Sequence, residues 1–227
     1  AVELALRGYH VFLACRDAGK TAEVLDEIAQ SSGGTARAEF IALDLGDLDS
    51  VRQCAQAFNA RQLPLHLLVN NAGLAGQKGF TKSGFELAFG VCHVGHFLLT
   101  QLLLDRLKQA APSRVVVVAS RAHRHAKGID FAAVRQPSRS RGGLMDYSVA
   151  KLANILFAAE LGRRLAGTGV TTYALHPGVV GTNVWRSVPW PLDRLVKLFM
   201  IDSEEGAKTT LYCATSDAVA QQTGLYY

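Results

Sequence analysis

Short apolar runs alternate along this chain with longer stretches of helical period. His10–Cys15, Ala38–Leu43, Leu65–Asn70, Arg114–Ser120 and Thr171–Leu175 read as strands. They are mostly apolar and several are β-branched, as a parallel sheet covered on both faces requires. Helical patterns lie between them, over about Lys20–Gln30, Leu48–Asn59, Ser83–Gln109 and Leu144–Leu165. Ser83 with Glu86 fits a capping box, and Asp47 or Asp49 stands where the second helix needs a cap. Repeated strand–helix–strand units imply right-handed crossovers. They predict one α/β domain with a doubly wound, Rossmann-like parallel sheet. No linker or repeat divides the chain, and Gln136–Gly143 is its most loop-like stretch.

The two ends add an expectation. Ala1–Arg7 reads as the second half of a helix closed by Gly8, and Gly224–Tyr227 as a last strand. A doubly wound nucleotide fold starts with a strand and a glycine-rich turn ahead of that helix. The reading therefore takes residues 1–227 as one cofactor-binding domain, N-terminally incomplete, lacking its first strand and phosphate-cradling turn. Weak cofactor binding and poor stability of the isolated chain follow from it.

Composition narrows the partners. The formal charge is +5, but the basic residues are scattered and no run exceeds Arg163-Arg164. A nucleic-acid site needs a clustered basic face, so none is expected. Cys15, Cys54, Cys92 and Cys213 form no CxxC pair and read as buried thiols of a reducing, cytoplasmic compartment. No uninterrupted apolar run reaches bilayer length, and no signal peptide opens the chain. His93, His96, His123 and His125 lack a carboxylate at metal-site spacing, so no metal is expected.

The chemistry is concentrated at Tyr147-Ser148-Val149-Ala150-Lys151. Tyrosine and lysine four apart share one helix face. An ammonium beside a phenol favours phenolate, which lowers the tyrosine pKa and suits it to general acid–base work. A YxxxK alone is weak, and two features reinforce it. Arg114–Ser120 is a buried strand with serine at its carboxyl end, where active sites of open α/β sheets lie. Ser120 there can donate to a substrate oxygen. Asn70-Asn71-Ala72-Gly73 follows another apolar strand, and its small residues allow a ligand to approach closely.

NNAG, a strand ending in serine, YxxxK and then His176-Pro177-Gly178 after a further strand resemble, in that order, the short-chain dehydrogenases/reductases. The match runs nearly the whole chain. LACRD at Leu13–Asp17, GHFLLT at Gly95–Thr100, KLAN at Lys151–Asn154 and TGVTTYALHPGVV at Thr168–Val180 are similar to the retinol dehydrogenase/retinal reductase branch. The resemblance implies Tyr147 as proton donor or acceptor. It implies Lys151 as modulator of that pKa and ribose contact, and Ser120 as ligand of the substrate oxygen. Asn70 and Gly73 would line the cofactor cleft and Asp44 would approach the adenine. Pro177, Gly178 and Thr182 would sit by the nicotinamide carboxamide. Dimers or tetramers through Ser83–Gln109 and Leu144–Leu165 are a further implication, as is a cytosolic endoplasmic-reticulum location for a longer form.

Arg16 bears on the cofactor. An acid at the end of the second strand suits a ribose 2′-hydroxyl, and an arginine there suits a 2′-phosphate, so NADP(H) is expected. Two features depart from the family. Cys92 stands where relatives carry an asparagine, and a thiol is the poorer hydrogen-bonding group; the glycine-rich turn is the other. In Trp185–Ile201, Leu192, Leu195, Val196 and Phe199 fall on one helical stripe, which reads as core or, by its resemblance in position to the family's substrate lid, as an apolar face that with Trp185 and Trp190 suits a lipid-like substrate or membrane-surface contact. The expected function is an NADP(H)-dependent exchange between carbonyl and alcohol on an apolar molecule such as a retinoid. The rivals are a non-catalytic binding module and an epimerase or dehydratase on a similar sheet.

Overall fold

The structure is a computed structural model that describes residues 1–178 and 203–227. Helix α1 (Val2–Leu6) is followed by β1 (Val11–Cys15), α2 (Ala18–Ser31), β2 (Ala38–Ala42), α3 (Leu48–Ala60) and β3 (Leu67–Asn70). Helix α4 (Leu87–Phe89) runs through a π-helical turn (Gly90–Val94) into α5 (Gly95–Gln109). Then come β4 (Ser113–Val118), α6 (Leu144–Arg164), β5 (Val170–Leu175), α7 (Ser203–Thr215) and β6 (Leu225–Tyr226).

All pairings between these strands are parallel. β3, β4, β5 and β6 form one sheet in that order, with Val69 opposite Val116 and Val116 opposite Tyr173. β1 and β2 form a second sheet, and among the described residues no ladder joins β1 to β3. The two sheets share a core: Ile41, Leu43, Val51, Phe58, Leu99 and Leu103 pack with Phe12 and Ala14 of β1 and Leu68 of β3.

The valine run of β4 explains why this strand is central. Val115 and Val117 face Leu107, Phe157 and Leu161 of α5 and α6, while Val116 and Val118 face Cys213, Ala214 and Val219 on the other side. Strand side chains alternate between faces, so only a strand apolar at every position can be buried on both. Each such valine contributes about 1.5–3 kcal/mol of transfer free energy, an upper bound against an extended unfolded chain.

The five strands read from the sequence are present, with edges moved by one or two residues. The capping box is corrected. Ser83 Oγ accepts the N–H of Leu48 at 3.1 Å and serves α3, alongside the Asp47 cap. Glu86 caps α4 itself, its carboxylate accepting the Phe89 N–H at 2.8 Å. The helix starts at Leu87 because the preceding backbone is engaged elsewhere. Thr81 N–H donates to Phe85 O, and Glu86 N–H donates to Val134 O. Helix α7 has no counterpart in the sequence reading; its first turn carries Glu204 and Glu205, which suit a helix N-terminus.

Leu87–Gln109 is long and apolar enough, by length and composition, to cross a membrane. In this fold it is a core helix whose Leu99, Leu103 and Leu107 are buried. Thr182 and the Trp185–Ile201 stripe lie outside the described residues.

Candidate active site

Helix α6 begins on a turn that only glycine fits. Gly143 has φ +70°, and a Cβ there would stand 2.5 Å from the carbonyl oxygen of Gln77. Four residues on comes Tyr147, then Lys151 and Asn154, at i, i+4 and i+7 along one stripe. That stripe lies against the carboxyl end of β4. Lys151, 2% exposed, donates from Nζ to the carbonyl oxygen of Val118 at 2.7 Å. The Ser120 hydroxyl, two residues further, stands close enough to the Tyr147 phenol to pull its pKa down. The same hydroxyl caps the 3₁₀ turn Arg121–His125 by accepting the Ala122 N–H at 3.2 Å.

The electrostatics correct one expectation. The Tyr147 phenol is pushed up to about 12, chiefly by burial, with Ser120 pulling the other way. The spacing with Lys151 had predicted a lowered value. The ammonium instead lies 5.5 Å from the centre of the Tyr147 ring and donates a hydrogen bond to the Val118 carbonyl. Desolvation of the phenol therefore prevails. Burial also lowers the pKa of Lys151, opposed by the neighbouring Cys92 thiol.

Cys92 sits inside the π-helical turn and is fully buried. Its Sγ accepts the Leu74 N–H and donates to the Leu74 carbonyl, each at 3.4 Å. Burial raises its pKa. Gly73 closes this corner: a Cβ there would touch Cys92 Sγ at 3.4 Å and Lys151 Nζ at 3.5 Å. π-turns are rare and concentrate at functional sites.

The remaining residues singled out from the sequence occupy the same carboxyl edge of the strands. Asn70 ends β3 and is buried; its Nδ2 donates to Thr100 Oγ1 of α5 at 2.9 Å, and its Oδ1 has no partner. Asp44 follows β2, and its carboxylate accepts the Gly46 N–H at 2.8 Å. Arg16 follows β1, is exposed, and makes no ion pair among the described residues. Asp17 is committed as the cap of α2, accepting the Lys20 N–H at 3.1 Å. The strand end thus offers a free cation, which fits an anionic group such as a 2′-phosphate. Pro177 and Gly178 follow β5, with Gly178 at φ +85°. His93 and His96 bond to Asn154 and to the Cys92 carbonyl, and His123 Nδ1 meets Ser120 O at 2.7 Å. No group of three metal-ligating side chains occurs among the described residues.

The sequence reading quoted Asn154 only within a motif. Its signal was available: a polar residue on the buried stripe that carries Tyr147 and Lys151. Thr100 was quoted only within a motif and Glu86 only as a cap; both are buried, and nothing local marks a polar side chain as internal.

A family model described as short chain dehydrogenase matches residues 1–190. Human retinol dehydrogenase 12 is 44% identical over all of this chain, which spans 72% of that protein's length. The WW domain-containing oxidoreductase of Danio rerio is 41% identical, and this chain spans 57% of it. The crystal structure of an uncharacterised protein from Mycobacterium paratuberculosis superposes with a TM-score of 0.72 at 37% identity, over 95% of this chain and 70% of that one. The chain belongs to the short-chain dehydrogenase family of oxidoreductases, in its retinol dehydrogenase branch.

Proposed function

We propose that residues 1–227 form one catalytic, nicotinamide-binding domain that interconverts a carbonyl and an alcohol on an apolar small molecule of the retinoid type, with NADP(H) as cofactor. The observation that carries this reading is the meeting of Ser120, Tyr147 and Lys151 at the carboxyl edge of β4. Retinol dehydrogenase 12 and retinol dehydrogenase 11 are relatives by name, and Arg16 supports the phosphorylated cofactor.

When bound, the nicotinamide supplies the hydride. Tyr147 holds its proton at every physiological pH, since burial keeps the phenol near 12. It can pass that proton to a carbonyl oxygen placed against it, while the Ser120 hydroxyl donates to the same oxygen as negative charge develops. Lys151 then faces a phenolate, and its ammonium stabilises the charge left behind. In this reading Arg16 holds the 2′-phosphate and Asp44 lies near the adenine. Asn70 and Gly73 border the cleft, and Pro177, Gly178 and Thr182 flank the carboxamide. Leu144 and Met145, which are 51% and 47% exposed, open the helix that carries Tyr147 and add apolar surface beside it. Exposed Phe97 and Leu156 on α5 and α6 are compatible with self-association. Four free cysteines, of which Cys54, Cys92 and Cys213 are buried as expected and Cys15, at the end of β1, is exposed, suit a cytosolic setting, on the endoplasmic-reticulum surface for a longer form.

The test is to supply the purified protein with NADPH or NADH and apolar aldehydes including retinal, following cofactor oxidation and alcohol formation together. Matched stoichiometry is expected. Cofactor binding without turnover in either direction would favour a binding module, and a product that is not the alcohol would favour an epimerase or dehydratase.

A further inference from the structure

Asn154 is 1% exposed, and its amide joins three elements. Nδ2 donates to the carbonyl of Cys92 in the π-helical turn at 3.0 Å and to that of Val118 in β4 at 3.3 Å. Oδ1 lies 3.0 Å from Nδ1 of His93. The chemistry of the partners fixes which way the amide points. Both carbonyls only accept, so they must face the NH₂ group. The amide oxygen then faces His93, whose Nδ1 must carry a proton. His96 is set the same way, because its Nδ1 lies 3.1 Å from the Cys92 carbonyl. Val118 O, the atom that receives Asn154, also receives the ammonium of Lys151.

We propose that Asn154 is a positioning residue for Lys151: by holding the Val118 carbonyl and the Cys92 turn together, it fixes where the ammonium stands relative to Tyr147. The inference rests on the proposed reaction, in which Lys151 stabilises the Tyr147 phenolate. The titratable groups facing Lys151 are Cys92 from the π-helical turn, His96 from α5 and Tyr147 from α6. Each is neutral around pH 7, because burial raises the thiol and the phenol and lowers the imidazole. The local environment of the ammonium is therefore set by dipoles, and the Val118 carbonyl is the one it touches. Cys92 binds Leu74 through its thiol, so the work of anchoring the turn to β4 falls to Asn154.

Two measurements test this. In the unaltered protein, ¹⁵N spectra of the histidine rings should show His93 as the neutral tautomer protonated at Nδ1. A ring protonated at Nε2 alone would mean a reversed amide with no donor for Val118, and the proposal would fall. In Asn154→Ala, the Lys151 side-chain resonance is assigned with Lys151→Arg and titrated. Removing the amide leaves the Val118 carbonyl to the ammonium alone and admits water, and both favour the charged form. The Lys151 pKa should rise by about half a unit or more. With an accepted carbonyl substrate, kcat should fall about tenfold while cofactor affinity changes little. The pH profile of kcat should move as well. An unmoved Lys151 titration, with any loss of rate explained by the fraction folded, would overturn the positioning role. The tautomer and the titration need no turnover. If the protein turns over no substrate, the proposed reaction fails while these readings still decide the role of Asn154.

Discussion

Lys151 Nζ and the carbonyl oxygen of Val118 are 2.7 Å apart. This contact ties the charge of α6 to the strand that carries Ser120 two residues later. A lysine side chain is long and flexible, and its position means little unless something receives it. Here a main-chain acceptor at the end of a strand buried on both faces does so, and the strand cannot shift without disturbing the core around Val115, Val116 and Val117.

Tyr147→Phe removes the proton donor and little else. Hydride transfer should fall by about a hundredfold to ten-thousandfold, with cofactor affinity within a few-fold. Stopped-flow reduction and a fluorescence titration of NADPH measure the two separately. The same pair of proteins reports the phenol directly. With its pKa pushed up to about 12, the difference spectrum between wild type and Tyr147→Phe should show no phenolate from this residue up to pH 10 in the ligand-free protein. Ionisation near neutrality, or turnover close to wild type, would contradict the arrangement.

Arg16→Ala should narrow a preference for NADPH over NADH, mainly through the cofactor KM. A charge-assisted hydrogen bond to a phosphate contributes about 1.5–3 kcal/mol, a factor of roughly 10 to 150 in that preference. Asp17 cannot compensate, because its carboxylate caps α2. Equal use of both cofactors by the unaltered protein would refute the assignment of Arg16.

The sheet was legible because its signal is local. Val115–Val118 and the apolar runs of the other strands need no partner to be recognised, and the edges moved by only a residue or two. The failures arise where a residue acts at a distance. Ser83 and Glu86 have capping-box spacing, yet Ser83 serves Leu48, 35 residues away. The Tyr147 pKa fails for the same reason: the i,i+4 rule places Lys151 on the right face but is blind to Val118, whose carbonyl accepts the ammonium's hydrogen bond. Asn154 is one letter of a motif in the sequence, and the contacts of its amide with the π-helical turn and β4 exist only once the chain is folded.

Cys92→Asn should fold and retain kcat. The thiol already spans the Leu74 N–H and carbonyl, each at 3.4 Å, and an amide offers a stronger acceptor and a stronger donor to the same pair. Overpacking in so buried a place costs about 1–3 kcal/mol, which two good hydrogen bonds of about 1 kcal/mol each largely offset. Cys92→Ala has no such offset and should lose about 1–2 kcal/mol in urea unfolding. A tenfold fall in kcat for Cys92→Asn at unchanged stability would show that the thiol itself is required.

His96 makes folding depend on pH in a direction that can be worked out. Burial lowers its pKa to about 4 in the folded protein, from the ordinary histidine value of 6.5. Between those values the unfolded chain binds the proton and the folded chain does not, so acid favours unfolding. The contribution is fully present above pH 6.5 and is lost progressively as pH falls toward 4. From pH 7 to pH 5 this one group should remove about 2 kcal/mol of stability. His93 and His176, also lowered by burial, act in the same sense. His96→Gln keeps a donor for the Cys92 carbonyl, which His96 Nδ1 meets at 3.1 Å, but cannot titrate. Urea unfolding of both proteins at pH 7 and pH 5 isolates the term: the variant should lose about 2 kcal/mol less than wild type over that interval. Equal losses would mean that His96 is protonated in the folded protein. The carbonyl of Cys92 would then face a charged ring in place of a neutral one.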